Sequence, residues 1–402
     1  MAIVQALLIS LTILLFPLLL FKTNDKVPML MLPIEHRDDT NPSLALLPIV
    51  SGDAIDVPSN FVVIIGVGNP TENFYLTFDT GSNVAWIQCE PRINCYKQKN
   101  TIFKPSSSIT YSQIPSSSPV CSNFNYHARE RDTPTTCAYS IKYGDKSYTN
   151  GILVRETLTL TPNHVFPGFL LGCGHNNSGS YGTGAGVLGL ARDPISIVSQ
   201  LSSTFGRVFS YCLPYLKDSK GYLALGRSTT SSSTATKYTP IIKDPSQPSR
   251  NFIHFIGISI DGRKLPIDPS ILNSPGTILD TGTPITRLPA KAYTVLRDSF
   301  RRLMAAYPLG EKAKTLDTCY LITEAKLKQI PLPKIVMHFK DVDVEVHRSG
   351  ILVKTRKVFC LAFSAKRDEG TPGIIGNKQQ STYEVVYDLD GEKIGFRPNG
   401  CS

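Results

Sequence analysis

Leu76-Thr77-Phe78-Asp79-Thr80-Gly81-Ser82 is an alternating apolar run that ends in a carboxylate and then in three small residues. Leu76 and Phe78 fall on one face of an extended chain and Thr77 on the other, the pattern of a packed strand. Thr80, Gly81 and Ser82 supply the short polar side chains and the permissive backbone of a tight turn. The stretch therefore delivers Asp79 from a strand onto a loop. One Asp-Thr-Gly means no more than a turn after a strand. A second copy, Thr277-Ile278-Leu279-Asp280-Thr281-Gly282-Thr283, repeats both the apolar run and the closing hydroxyl, and its aspartate lies 201 residues further on (280 − 79). Downstream of each copy comes a short apolar segment framed by glycines, Gly186-Val187-Leu188-Gly189 after the first and Gly373-Ile374-Ile375-Gly376 after the second. Each half of the chain thus carries the same two motifs in the same order.

This repeat, with Trp86-Ile87-Gln88-Cys89 and Phe209-Ser210-Tyr211-Cys212-Leu213, resembles the pepsin-like aspartic proteases, and among them the plant, nepenthesin-type branch. The likeness covers nearly everything after about residue 60. It implies an all-β, bilobal fold with a few short helices and an active-site cleft between an N-terminal lobe (58–235) and a C-terminal lobe (236–402). It also implies that Asp79 and Asp280 are the catalytic pair, with Ser82 and Thr283 bonded to them. Thr80 and Thr281, beside Gly81 and Gly282, would tie the two loops together. Tyr143, with Gly144 and Asp145, would form a flap over bound peptide, and the indole N–H of Trp86 would bond the Tyr143 hydroxyl. Two departures stand out. The branch usually has Gly where this chain has Lys146, and it often has Ser where this chain keeps Thr281.

Composition agrees with an all-β protein. The 402 residues can bury two cores, and 29 Gly and 29 Pro break the apolar residues into short runs. Phe61–Gly66 and Phe252–Ile258 read as strands, Asp261-Gly262 as a hairpin turn, and Tyr383–Phe396 as a hairpin that the resemblance places near the sheet joining the lobes. Helical spacing is confined to Pro194–Phe205 and Ala290–Ala306. Ser228–Thr236 has no packing pattern and reads as an exposed connection. The net charge of +10 comes from scattered Lys and Arg, so a nucleic-acid partner is not expected. Protein or peptide substrates and a monomeric state are.

Residues 1–21 contain no charge and are rich in Leu and Ile. A cleaved signal peptide and a retained signal anchor both fit such a run; the cleaved signal is the expectation, with no stable membrane association. Secretion to the apoplast follows, with the vacuole as the alternative. Residues 22–57 form a short propeptide-like segment, in which Ile34-Glu35-His36-Arg37-Asp38 resembles the start of the family's propeptide.

Nine cysteines behind an apolar leader indicate an oxidising compartment. Spacing alone leaves their pairing open. The resemblance implies Cys95–Cys173, Cys121–Cys137, Cys212–Cys401 and Cys319–Cys360, and leaves Cys89 as a free thiol because Arg92 stands where relatives commonly have a cysteine. Asn176-Asn177-Ser178 is a glycosylation sequon at Asn176. No metal or other cofactor is expected, since the seven histidines form no ligand motif. Nor is there a Gly-x-Ser-x-Gly elbow or a His-Glu-x-x-His, and the run Gly182–Gly186 leads into a strand instead of a phosphate-binding helix.

Two carboxylates close enough to share one water cannot both ionise comfortably, so the pair holds a proton. The ionised member can then take a proton from that water while the protonated member hydrogen-bonds a scissile carbonyl. The alternative is a protein on the same fold, catalytically weak or inactive, that binds or inhibits. Survival of both aspartates and their hydroxyls favours catalysis.

Overall fold

The strand that carries the first aspartate, Glu72–Asp79, is the hub of the first half. It pairs antiparallel with Phe61–Val67 on one side and parallel with Gly186–Gly189 on the other. The computed structural model describes residues 29–36, 61–124, 135–213, 221–227, 235–355 and 358–398. Among these the architecture is mostly β with short helices, as expected. A 19-stranded sheet system runs through both halves, and the second half adds four-stranded and three-stranded sheets. One apolar core extends through both halves, with smaller clusters around Trp86 and around Cys319–Cys360.

The halves join through backbone hydrogen bonds. Val208–Cys212 pairs with Tyr383–Asp388, which forms the expected closing hairpin with Lys393–Pro398. Phe209 and Tyr387 stack across this seam at 4.5 Å. Leu30–His36, within the propeptide-like segment, is a strand of the same sheet. It lies between Phe61–Val67 and Gly221–Leu225 and covers an edge of each. Leu30 and Leu32 are buried there. The rest of that segment, apart from Met29, lies outside the described residues, as do the leader, residues 228–234 of the expected connection, and Cys401, the expected partner of Cys212.

Three local expectations change in detail. The strand expected over Phe252–Ile258 is interrupted at His254. Phe252–Ile253 pairs with Thr277–Asp280, whereas Phe255–Ile260 pairs with Ile335–Phe339, so the chain changes sheets. The Asn273 side chain pins the crossing by donating to the Phe255 carbonyl (2.8 Å) and accepting from its N–H (3.2 Å). The Asp261-Gly262 turn follows, with φ of 45° and 76°, the doubly left-handed form that suits a two-residue hairpin. The helical span expected over Pro194–Phe205 is two separate turns, Ile197–Gln200 and Ser202–Phe205. The longer helix, Ala290–Leu303, stops before Ala306 and buries Ala292, Tyr293, Leu296 and Phe300 on one face.

Cys121–Cys137 and Cys319–Cys360 are bonded as expected. The pairing of Cys95 with Cys173 is not found. Cys173 bonds Cys89, and Cys95 is the free thiol among the described residues. The reason is strand register. Trp86–Gln88 lies parallel to Gly172–Gly174, and the Cys89 N–H bonds the Gly174 carbonyl (2.9 Å), which brings the Cys89 and Cys173 Cα atoms to 5.3 Å. Cys95 comes after this ladder and sits beside the Asn177 amide (3.8 Å). The sequon residue Asn176 is a half-buried strand residue whose side-chain oxygen accepts from the Tyr148 hydroxyl (3.3 Å).

Candidate active site

Each aspartate ends a strand that is clamped by the glycine-framed segment of its own half. Leu76–Asp79 runs parallel to Gly186–Gly189, and Thr277–Asp280 runs parallel to Gly373–Gly376, residue for residue. Close approach dictates the glycines. A Cβ on Gly189 would lie 2.5 Å from the Asn83 carbonyl carbon, and one on Gly376 would lie 2.5 Å from that of Ile285.

The two loops then hold each other. The Thr80 N–H bonds the Thr281 hydroxyl (3.1 Å), and the Thr281 N–H bonds the Thr80 hydroxyl (3.1 Å). Each hydroxyl in turn donates a hydrogen bond to the opposite strand, Thr80 to the Leu279 carbonyl (3.0 Å) and Thr281 to the Phe78 carbonyl (2.9 Å). Both threonines are buried, so these four bonds are made away from water, where losing one partner is costly.

The carboxylates are held in mirror fashion. Asp79 accepts from the Gly81 N–H (2.8 Å) and the Ser82 hydroxyl. Asp280 accepts from the Gly282 N–H (2.8 Å) and the Thr283 hydroxyl (2.7 Å). The glycines of the two turns interleave with the opposite carboxyl groups. A Cβ on Gly282 would sit 2.8 Å from the Asp79 carboxyl carbon, and one on Gly81 would sit 3.0 Å from that of Asp280. All eight residues singled out in the two loops therefore converge on one point. Burial raises the Asp79 pKa well above the ordinary carboxylate range, and the Asp280 charge adds to it; bonds from Ser82 and Gly81 act against this. The pair thus retains a proton at pH values where a solvated carboxyl has lost it.

Aromatic side chains cover the Asp79 side. Ala138–Lys142 and the start of Tyr148–Thr161 form the expected hairpin, with Tyr143 at the foot of its turn. The Trp86 indole donates to the Tyr143 hydroxyl at 2.8 Å, as anticipated. Gly144, Asp145 and Lys146 are exposed at the tip, and the Asp145 carboxylate accepts from the Ser147 N–H (2.9 Å). Lys146 adopts φ 75°, the left-handed region where glycine is favoured.

Several supporting residues escaped the sequence reading. Tyr181 packs edge-on against Trp86 (5.1 Å) and Tyr143 (6.0 Å) and stacks on Tyr96 (5.0 Å). Its only signal was an aromatic residue beside a glycine run. In the second half, the buried Asn377 amide donates to the Thr281 carbonyl (2.9 Å), and Gln379 accepts from the N–H (3.1 Å) and hydroxyl (2.7 Å) of Thr286. The Tyr387 hydroxyl donates to the Leu279 carbonyl (3.4 Å) from beneath the threonine pair. No cluster of metal-ligating side chains occurs among the described residues.

Comparison with known proteins finds matches for both halves. Family models described as Xylanase inhibitor N-terminal and Xylanase inhibitor C-terminal match residues 61–227 and 251–398. An aspartyl protease family protein of Arabidopsis thaliana is 40% identical over 362 residues, covering 89% of this chain and 75% of that protein. Aspartic proteinase nepenthesin-2 of Nepenthes gracilis is 31% identical over 362 residues, covering 88% and 80%. The crystal structure of Basic 7S globulin from soybean superposes with a TM-score of 0.70 at 20% identity, over 92% of this chain and 96% of that one, and so shares the fold.

Proposed function

Since this chain belongs to the pepsin-like aspartic protease family, in the plant branch that includes the nepenthesins, we propose that it is an endopeptidase that hydrolyses peptide bonds at acid pH. The observation that carries this reading is the reciprocal seating of Asp79 and Asp280, each held by a glycine N–H and a hydroxyl with the other loop's glycine against it. A water between them gives up a proton to the ionised carboxylate as its oxygen attacks the scissile carbonyl carbon. The protonated carboxyl donates to the carbonyl oxygen, and the proton taken from water passes to the departing amine. The pair titrates as a unit, so neither residue is assigned acid or base alone. Ser82 and Thr283 orient the carboxylates, and Tyr143 with Trp86 closes over the peptide. The setting that fits this chemistry is a secreted or vacuolar monomer acting on protein substrates.

A second reading, a binding or inhibitor protein without catalysis, draws on the description of the matching family models. One experiment separates them. Denatured globin is incubated with wild type, Asp79→Asn and Asp280→Asn across acid to neutral pH, with pepstatin added to wild type. Acid-dependent cleavage lost in both variants and blocked by pepstatin supports the protease. Absence of cleavage by well-folded, processed wild type favours the binding protein.

A further inference from the structure

The chain leaves the first glycine-framed strand at Leu190, whose N–H bonds the Asp79 carbonyl (3.1 Å), and two residues later places Arg192 in the wall of a cavity of about 370 Å³. Arg207 lies in the same wall, together with Lys243, Asp244 and Glu392, while Pro245, Pro248 and Leu389 give it apolar surface. The acidic groups here are turned elsewhere. Lys243 is paired with Glu392. Asp244 turns into its own loop, accepting from the N–H (2.8 Å) and hydroxyl (2.7 Å) of Ser246. Arg192 and Arg207 are half-buried, and neither guanidinium has a hydrogen-bond or ion-pair partner among the described residues. Burial lowers the Arg192 pKa, Glu392 partly offsets this, and the Arg207 charge lowers it further.

Both arginines are fixed at the backbone. The Arg192 N–H bonds the Ser249 carbonyl (3.0 Å), and the Arg207 N–H bonds the Asp390 carboxylate (3.2 Å). Two like charges held in one wall, with planar donor forks unfilled, match an oxyanion that accepts from both. We propose that this cavity binds a small oxyanion, a phosphate or a carboxylate group, between Arg192 and Arg207. The wall itself draws on both parts of the chain, the arginines from the first and Lys243, Leu389 and Glu392 from the second. The site is independent of whether the dyad is catalytic.

Thermal unfolding of the full chain tests the proposal, in phosphate, in citrate and in chloride at one pH and ionic strength. Phosphate or citrate at saturation should raise Tm by about 2–4 °C over chloride. Arg192→Gln and Arg207→Gln should each lose most of that rise, and Lys291→Gln, on an exposed helix face, should keep it. A rise with phosphate alone identifies a phosphate site, and with citrate alone a carboxylate site; either supports the cavity. Equal rises in every variant would mean a general ion effect and overturn it. Isothermal titration of wild type with phosphate and citrate stands apart from variant folding, and no saturable binding of either ion would also overturn it.

Discussion

Seven residues after Asp79 stands Trp86, and seven residues after Asp280 stands Arg287, each on a short strand laid antiparallel across the glycine-framed strand of its own half. Trp86 is fully buried, bonds Tyr143 and packs on Tyr181. Arg287 is half-buried and donates to the Ser364 hydroxyl (3.1 Å). The next comparison runs the other way. After Gly189 comes Leu190, an apolar residue, and after Gly376 comes Asn377, whose amide reaches into the loop it supports. The turns themselves match bond for bond. Geometry at the carboxylates is therefore shared between the halves, and environment is divided between them. The first half supplies a dry aromatic cover, and the second supplies buried amides that fix the loop. Asp79 is consequently the more buried of the pair, at 9% exposure.

The harshest way to break the symmetry is at the carboxyls. Asp79→Asn and Asp280→Asn should each lower kcat by about 10³-fold or more, measured on a quenched peptide with folding checked by circular dichroism. Equal losses would show one shared function, whereas a mild loss in either variant would contradict it. Interleaving is tested next. Gly282→Ala forces a methyl to 2.8 Å from the Asp79 carboxyl and should cost about 10²-fold in kcat, more than Gly81→Ala, where the approach is 3.0 Å. A reversed order would mean that the loops relax independently.

The aromatic cover has a smaller expected effect. Tyr143→Phe removes one hydrogen bond across the flap and should lower kcat/KM by about tenfold, whereas Trp86→Phe removes the same bond, leaves a cavity beside Tyr181 and should lower Tm as well. Stability then reports on the buried proton. The folded-state pKa of Asp79 is raised, so the folded protein keeps a proton that the unfolded chain releases above its ordinary value of 3.8, and wild type loses stability as pH rises above that value. Asp79→Asn carries no such penalty. Its Tm should exceed that of wild type near about pH 7, with the gap closing towards about pH 4. A gap independent of pH would remove the protonation argument. Smallest of all, Lys146→Gly relieves a left-handed lysine and should add about 1 kcal/mol, a Tm gain of about 1–2 °C in a chain of this size.

The site was legible where function forces a local signature. Asp-Thr-Gly with a hydroxyl needs only seven residues to be seen, and its repetition identified both loops and both clamping strands. What stayed hidden depends on register between distant strands. Cys95 and Cys89 are equivalent candidates for Cys173 until the ladder of Trp86–Gln88 on Gly172–Gly174 decides between them. Tyr181 joins Trp86 only after the chain has returned from the long hairpin, and Gln379 looks like a surface residue until Thr286 is placed against it. Leu30–His36 has the alternation of any strand; nothing local says that it fills a gap between two others. The switch at His254 depends on Asn273, nineteen positions on (273 − 254).

The strand Gly373–Gly376 that lies against Thr277–Asp280 comes almost a hundred residues after it in the chain. During synthesis, Asp79 and its own clamp emerge well before Asp280, and Asp280 waits almost a hundred residues more for its support. A ribosome must therefore add almost a hundred residues beyond Asp280 before the dyad can be seated on both sides. The order of residues along the chain thus sets an order of assembly, in which the first carboxylate can be seated early and the second only once its own support has been made.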